Sequence, residues 1–346
     1  VIALGRGKED MYKIFQNGSE YVVNKSHIIS LKRTGSNEIL NISVKDFLLK
    51  SANFKHLHKG WKTGVNFNKQ EVPVDPYFLG LWLGDGAASS VYITNIEPEI
   101  EHYLLGYASA LGLVYKKRVN KDRTPTLSIT NGKGGGNNPS LQGLLSKIGV
   151  LNNKHIPNIY KINDREVRLR LLAGIIDTDG SLANNRGKWQ WYDIIQKSDI
   201  LSKDIVFLAR SLGFSATTHK EKKTIKGIGF EGEYNRIRIS GDLSQIPVLV
   251  ERKKSKYKSR KNVLLSAIDV KPVGVGNYYG FELDGDGLFV LGNFVVTHNT
   301  SFGMFLQEQM EALNPVMIPL EQSNEEIVEQ RIDNGYNLTK FLSLEK

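Results

Sequence analysis

The sequence contains no cysteine in 346 residues. That absence excludes a disulfide framework and any thiolate-held zinc or iron–sulfur site. It also lacks a run of about 18 apolar residues, so it offers no helix to cross a bilayer. The opening Val1-Ile2-Ala3 has neither a methionine nor the layout of a signal peptide. A fragment working in the cytoplasm of a bacterial or phage-infected cell is therefore expected. Acidic residues are scarce over most of the chain. Residues 1–299 carry 43 Lys/Arg against 28 Asp/Glu, whereas residues 300–346 carry 3 against 8. The basic portion suits a polyanionic partner, and the acidic end reads as something separate. A chain of this length holds roughly two or three domains, each with a sizeable core.

What is there centres on two stretches, Phe78-Leu79-Gly80-Leu81-Trp82-Leu83-Gly84-Asp85-Gly86 and Leu172-Ala173-Gly174-Ile175-Ile176-Asp177-Thr178-Asp179-Gly180. Both are apolar helical runs with small residues four apart, Gly80/Gly84 and Gly174/Thr178, and both close on Asp-Gly. Small residues at that spacing let two helix backbones approach closely. The closing glycines, Gly86 and Gly180, are expected in the left-handed position that stops a helix. Packed side by side, the helices would bring Asp85 and Asp179 together at one end. The negative ends of the helix dipoles disfavour bare carboxylates there and favour a bound divalent cation.

The flanks repeat as well. Asp75-Pro76 reads as a cap and first turn for the first helix, and Asn163 with Glu166 as a capping box for the second. After each helix come a strand (Ser90–Thr94; Lys188–Trp191), a helix (Pro98–Leu111; Leu201–Leu212) with a Leu-Gly stop, and two strands (Val114–Val119 with Thr126–Thr130; Ser215–His219 with Arg236–Ser240). The motif aspartates lie 94 positions apart. This predicts a two-fold pseudosymmetric α+β domain with one shared site. The glycine-rich loop 132–136 lacks the Gly-Lys-Ser/Thr of a phosphate loop and reads as a hairpin tip or an insertion. Short strands separated by Asn17-Gly18 and Gly35-Ser36-Asn37 fill residues 1–50, Lys55–Lys62 reads as a basic connector, and β character returns over 270–299.

The paired stretches resemble the LAGLIDADG (DOD-type) homing endonucleases with two motifs in one chain. The second motif departs only at Ile175 and Thr178. The first keeps Gly80, Leu81, Asp85 and Gly86, with Leu83 in place of the motif's first Asp. The resemblance implies a monomeric, Mg²⁺-dependent enzyme that cuts both strands of a DNA duplex, with Asp85 and Asp179 as metal ligands. It implies catalytic lysines at Lys154 and, by repeat symmetry, Lys253, with Lys254 an alternative. Strands laid in the major groove nominate Lys116, Arg118, Gln190, Tyr192, Arg236 and Arg238 for DNA contact. The basic run from Arg252 to Lys261 nominates Lys254, Lys256 and Lys258 for phosphates.

The β segment ending His298-Asn299-Thr300 resembles the C-terminal junction of an intein, whose all-β Hint splicing domain such endonucleases interrupt. In that chemistry Asn299 cyclises to cut the Asn299–Thr300 bond, His298 assists, and Thr300 supplies the hydroxyl nucleophile. Asn24-Lys25-Ser26-His27 resembles the family's Thr-x-x-His block, with His27 the residue that assists acyl shift. The Cys or Ser that starts such elements is missing, so complete splicing is not expected. The usual His before the junction is replaced by Asp284-Gly285-Asp286-Gly287, either of whose aspartates is expected to help position a water or the His. The chain beyond, with Thr300-Ser301, an amphipathic helix and the strand Val316–Leu320, resembles an α/β P-loop, ATP-binding segment of a RecA-like phage or replicative helicase. The expected layout is residues 1–70 and 266–299 for the splicing domain, 71–265 for the endonuclease and 300–346 for host protein. The alternative is a splicing module whose insert binds DNA without cutting it.

Overall fold

A computed structural model describes residues 3–36, 38–132, 140–185, 189–225, 230–256, 262–283 and 286–298. The described chain begins with β1 (Ala3–Gln16), one long strand where short ones are expected. It turns at Asn17-Gly18, both at positive φ (37° and 71°), into β2 (Ser19–Asn24). β3 (Ile28–Arg33) and β4 (Ile39–Ser43) follow. Next come α1 (Val44–Leu49), α2 (Ala52–Leu57) and β5 (His58–Trp61). The last two replace the expected basic connector. Ser51 caps α2 by accepting from Phe54 N, the His58 ring stacks on Phe54 at 4.0 Å, and Lys32 covers the Trp61 ring at 3.6 Å. Aromatic packing therefore gives structure to a segment whose charge reads as loop.

The next unit opens with α3 (Pro76–Asp85), capped by Asp75 and with Pro76 in its first turn as expected. β6 (Ile93–Thr94), α4 (Pro98–Ala110), β7 (Val114–Asn120), β8 (Arg123–Thr130) and α5 (Leu141–Lys147) complete the first half. The second half runs through α6 (Asn158–Lys161), α7 (Arg165–Asp179), β9 (Gly180–Asn185), β10 (Trp189–Gln196), α8 (Asp199–Ser211), β11 (Ser215–Ile225) and β12 (Phe230–Ser240). The sheets run β6-β8-β7 and β11-β12-β10-β9. In the first half the counterpart of β9 shrinks to a single bridge between Gly86 and Ile93. The cap of α7 is Asp164, which accepts from Val167 N, and not Asn163. Asn163 is fully buried and uses its amide to bridge Gln70 and Ile159, which ties the incoming linker to the helix.

α3 and α7 form the centre of this unit. A Cβ on Gly80 would run into the Leu171 carbonyl oxygen and lie 2.9 Å from Gly174 Cα; one on Gly174 would strike Tyr77 O. The helices pack backbone to backbone, as the small-residue spacing predicts. The closing glycines differ from expectation. Gly86 (φ −73°) and Gly180 (φ −81°) are extended, not left-handed. Glycine is needed there because a Cβ would collide with the Trp82 and Ile176 carbonyls of the preceding turn.

The chain then returns to its beginning. β13 (Leu265–Ser266) pairs with β5, and β14 (Asp269–Glu282) runs antiparallel along β1 from Phe15↔Asp269 to Ala3↔Glu282. β15 (Leu288–Val290) and β16 (Val296–His298) close as a hairpin. Ile14, Val23, Ile29, Leu31, Val44 and Phe47 form a core of their own, with Ile268 and Val270 packed on it. Segments from both ends of the described chain thus share one β unit, while a separate core extends from Val74 to Val250.

Candidate functional site

Asp85 and Asp179 are the last residues of α3 and α7. Because the helices touch along their glycines, their ends stay close: a Cβ on Gly84 would meet the Thr178 side chain and lie 3.4 Å from Asp179 Cγ. Each carboxylate accepts from an amide at the end of a strand of its own half. Asn95 Nδ2 donates to Asp85 Oδ2 at 2.7 Å, and Gln196 Nε2 to Asp179 Oδ2 at 2.5 Å. Sequence reading missed both amides. Asn95 follows its aspartate by ten positions and Gln196 by seventeen, because the β9–β10 hairpin is longer, and that difference hides the equivalence.

The lysines repeat the pattern. Lys154 Nζ donates to Leu83 O (3.0 Å) and Gly84 O (3.1 Å) at the end of α3. Lys253 Nζ donates to Ile176 O (2.9 Å), Asp177 O (2.9 Å) and Thr178 O (3.0 Å) at the end of α7. Each ammonium satisfies helix-end carbonyls and opposes the negative end of the dipole. Lys254 does not share this position; it pairs with Glu251 at 2.7 Å.

Burial pushes the Asp179 carboxyl up to about 6, and the neighbouring Asp85 charge adds to the rise. Burial also raises Asp85, against the pull of Asn95 and of both lysines. The two ammoniums are lowered, again by burial first. Two converging carboxylates that repel each other form a hard oxygen-donor set that fits a divalent cation. Among the described residues no three His, Cys, Asp or Glu side chains gather into a metal cage. Such a pair suits an ion that completes its shell with water and phosphate oxygens.

The outer faces of the two sheets, turned away from the helices, carry part of the nominated DNA set. Lys116 and Arg118 are exposed on β7, opposite Ser128 and Thr126, whereas alternate positions on β8 bury Leu127 and Ile129. Arg236 and Arg238 lie on the outer face of β12. Asp193 accepts from both, at 3.3 and 3.2 Å, and Glu221 accepts from Arg236 at 2.6 Å. On β10 the expected alternation is one residue out of step. Tyr192 is fully buried on the helix side and donates its hydroxyl to Lys253 O at 2.6 Å, so it cannot reach a base. Gln190 shares its parity and accepts from Ser255 Oγ at 2.8 Å. Trp191 and Asp193 take the outward positions, because a β strand alternates faces and a one-residue shift inverts both. Of the basic run, Lys254 and Lys256 are exposed, Lys253 is buried, and Lys258 lies outside the described residues.

In the β unit, His27 is buried and its Nε2 lies 2.8 Å from Thr297 Oγ1, which also bonds the Tyr21 hydroxyl. Thr297 precedes His298 on β16. Asn299, Thr300 and Asp284 lie outside the described residues, as does the helicase-like segment. Asp286 accepts from Leu288 N at 3.1 Å and so opens β15.

A family model described as homing endonuclease matches residues 155–262, a stretch that includes Asp179, Gln196 and Lys253. The chain is similar to the replicative DNA helicase DnaB of Mycobacterium intracellulare, 29% identical over 272 residues, which is 75% of this chain and 41% of that protein. It is 27% identical over 252 residues to the ATP-dependent DNA helicase Hel308 of Thermococcus kodakarensis, covering 64% of this chain and 21% of that one. The chain therefore spans less than half the length of these curated relatives. Among solved structures, the homing endonuclease I-DmoI in complex with DNA and Ca is 15% identical with a TM-score of 0.34, over 48% of this chain and 82% of that one. The complex with DNA and Mn gives 15% and 0.34, over 48% and 88%.

Proposed function

We propose that this chain is a metal-dependent homing endonuclease that makes a double-strand break in DNA, carried inside a protein-splicing element of a helicase-like host. One observation carries the nuclease reading. Two halves of different sequence place the same three groups at the same helix end: Asp85, Asn95 and Lys154 in one, Asp179, Gln196 and Lys253 in the other. A bare structural repeat has no need to bury two repelling carboxylates, whereas hydrolysis of two strands needs one such set per strand. When bound, the divalent cation would offset the carboxylate charge and polarise the scissile phosphate. Asp85 and Asp179 would hold it, Asn95 and Gln196 fix the carboxylate rotamers, and Lys154 and Lys253 keep positive charge beside the incoming phosphate. Lys116, Arg118, Arg236 and Arg238 would meet the duplex on the outer sheet faces.

The splicing reading rests on the β unit that both ends of the described chain build, and on His27 meeting Thr297 two residues before Asn299. The similarity to two DNA helicases, over 75% and 64% of this chain, fits a helicase-like host. The nuclease test is cleavage, in Mg²⁺, of a duplex that joins the host-gene sequence across the insertion point. Asp85→Asn and Asp179→Asn should abolish double-strand cleavage and leave binding largely intact. Cutting of both strands at the wild-type rate by both variants would sink the assignment.

A further inference from the structure

A groove of about 680 Å³ separates the outer face of the second-half sheet from the β unit. Trp189, Trp191 and Arg238 line one wall, Asn17 and Lys59 the other, and among the described residues none of the first half lines it. Among the described residues its lining holds two cations, Lys59 and Arg238, and the Asp193 carboxylate accepts from the lining residues Arg238 and Trp191. The Arg238 guanidinium lies over the Trp191 ring at 4.7 Å, and Trp189 is half exposed. At the rim, Ser255 bonds to the lining residue Gln190 between the exposed Lys254 and Lys256. Lys59, which faces the aromatic wall with no ion pair to Asp193, together with Lys254 and Lys256 near the rim, suits a phosphodiester backbone.

The two walls are held in register. Buried Lys62 donates to Asn17 O at 3.0 Å and Ser19 Oγ at 2.8 Å, on the β1–β2 turn. Buried Arg210, from α8, donates to Gly18 O at 2.9 Å, and Asn17 Nδ2 donates to Ser215 Oγ at 3.1 Å. The turn of one unit is thus fastened to the sheet edge of the other, which fixes the groove as a continuation of the outer sheet face.

We propose that the DNA duplex lying on the outer face of the second-half sheet runs on into this groove, so that the β unit grips the DNA flank on that side alone. The inference rests on reading the outer sheet faces as the DNA surface. Its new content is an asymmetric footprint with Lys59 as a flank-phosphate contact.

The test uses the full chain without divalent metal. The probe is a duplex of about 60 base pairs (roughly 200 Å at the 3.4 Å rise) joining the host-gene sequence across the insertion point, and versions of it trimmed from one end or the other. Wild type should lose affinity on trimming one end well before the other. Lys59→Ala should weaken binding to the long duplex roughly threefold to tenfold, lower the log–log salt slope by about 0.9, and leave binding to the flank-trimmed duplex unchanged. Mg²⁺-dependent cleavage of that trimmed duplex checks that the variant is folded. Equal trimming sensitivity at both ends, or a Lys59→Ala effect that is absent or independent of the flank, overturns the proposal while leaving the nuclease reading intact. Failure of wild type to bind, and in Mg²⁺ to cut, even the untrimmed duplex overturns the nuclease reading itself.

Discussion

Across the central helix pair, the Tyr77 hydroxyl of α3 donates to the Asp177 carboxylate of α7 at 2.7 Å. Asp177 also accepts from Leu249 N at 2.6 Å and Val250 N at 3.3 Å, the segment that leads into Lys253. The first motif has Leu83 at the matching position, and there Val150 N bonds to Leu145 O instead. The motif's first aspartate therefore serves as an anchor for the lysine strap, and a half that holds its strap by backbone does without one. Asp177→Ala strands three donors and should cost about 3–5 kcal/mol, against about 1 kcal/mol for Tyr77→Phe. Urea denaturation compares the two, and equal costs would refute the anchor.

The helix contact makes an opposite prediction for similar substitutions. Gly80→Ala or Gly174→Ala puts a methyl into the partner helix's backbone and should destabilise by about 3 kcal/mol or more, since backbone cannot rotate away. At Gly106, on the exposed face of α4, a Cβ meets nothing within 4 Å. Gly106→Ala should instead stabilise by about 0.5–1 kcal/mol. Thermal melts of the three variants test both signs at once.

The two motif helices, their glycine contact and the pairing of Lys154 with Lys253 were legible because they follow a repeat that survives in sequence. The amides were not, since strand lengths differ between halves and Asn95 and Gln196 fall out of alignment. Tyr192 is expected on the outer face but lies on the inner one, because β10 begins near a residue whose parity only the β9 and β12 registers fix. The pairing of β1 with β14 joins residues more than 250 positions apart, which no local pattern reveals. At Gly86 and Gly180 the Asp-Gly pattern reads as a left-handed stop, but what requires glycine there is steric room against the carbonyls of the preceding turn.

The basic run divides into two roles that mutagenesis should separate. Lys256 is exposed, so Lys256→Ala should weaken binding to all duplexes alike and lower the log–log salt slope by about 0.9. Lys253 is buried against three carbonyls, and Lys253→Met should reduce cleavage and stability with little change in salt slope. A reversed pattern in fluorescence-anisotropy titrations would reassign both lysines.

Asp179 gives the metal-free protein a defined pH response. Its carboxyl rises from 3.8 to about 6 in the folded state, so the folded chain holds that proton more tightly than the unfolded one. The associated stability is fully present below about pH 4 and is lost as pH rises towards and through 6. In EDTA, the Tm of wild type should therefore fall relative to that of Asp179→Asn between pH 4.5 and pH 7. At pH 7.5, Mg²⁺ should raise the wild-type Tm and leave the variant nearly unchanged. Parallel Tm–pH curves for the two proteins would show that Asp179 titrates normally.

The splicing half of the proposal stands or falls on one bond. Asn299 needs only its own side-chain amide to attack its carbonyl and release the amine of Thr300, with His298 helping the proton transfer. His27 and Tyr21 both reach Thr297, two residues upstream, so the β unit fixes the backbone that leads into the reacting residue. Slow cleavage is expected on prolonged incubation, giving a fragment that starts at Thr300 and a partner ending in succinimide or its hydrolysis product. Asn299→Ala should eliminate both products, and His298→Ala should slow them. Thr297→Val breaks the contacts to His27 and Tyr21 without touching either reacting group, and should slow release as well. Mass spectrometry distinguishes these outcomes. Cleavage at another bond, or cleavage that survives Asn299→Ala, removes the junction assignment and leaves the nuclease proposal to stand alone.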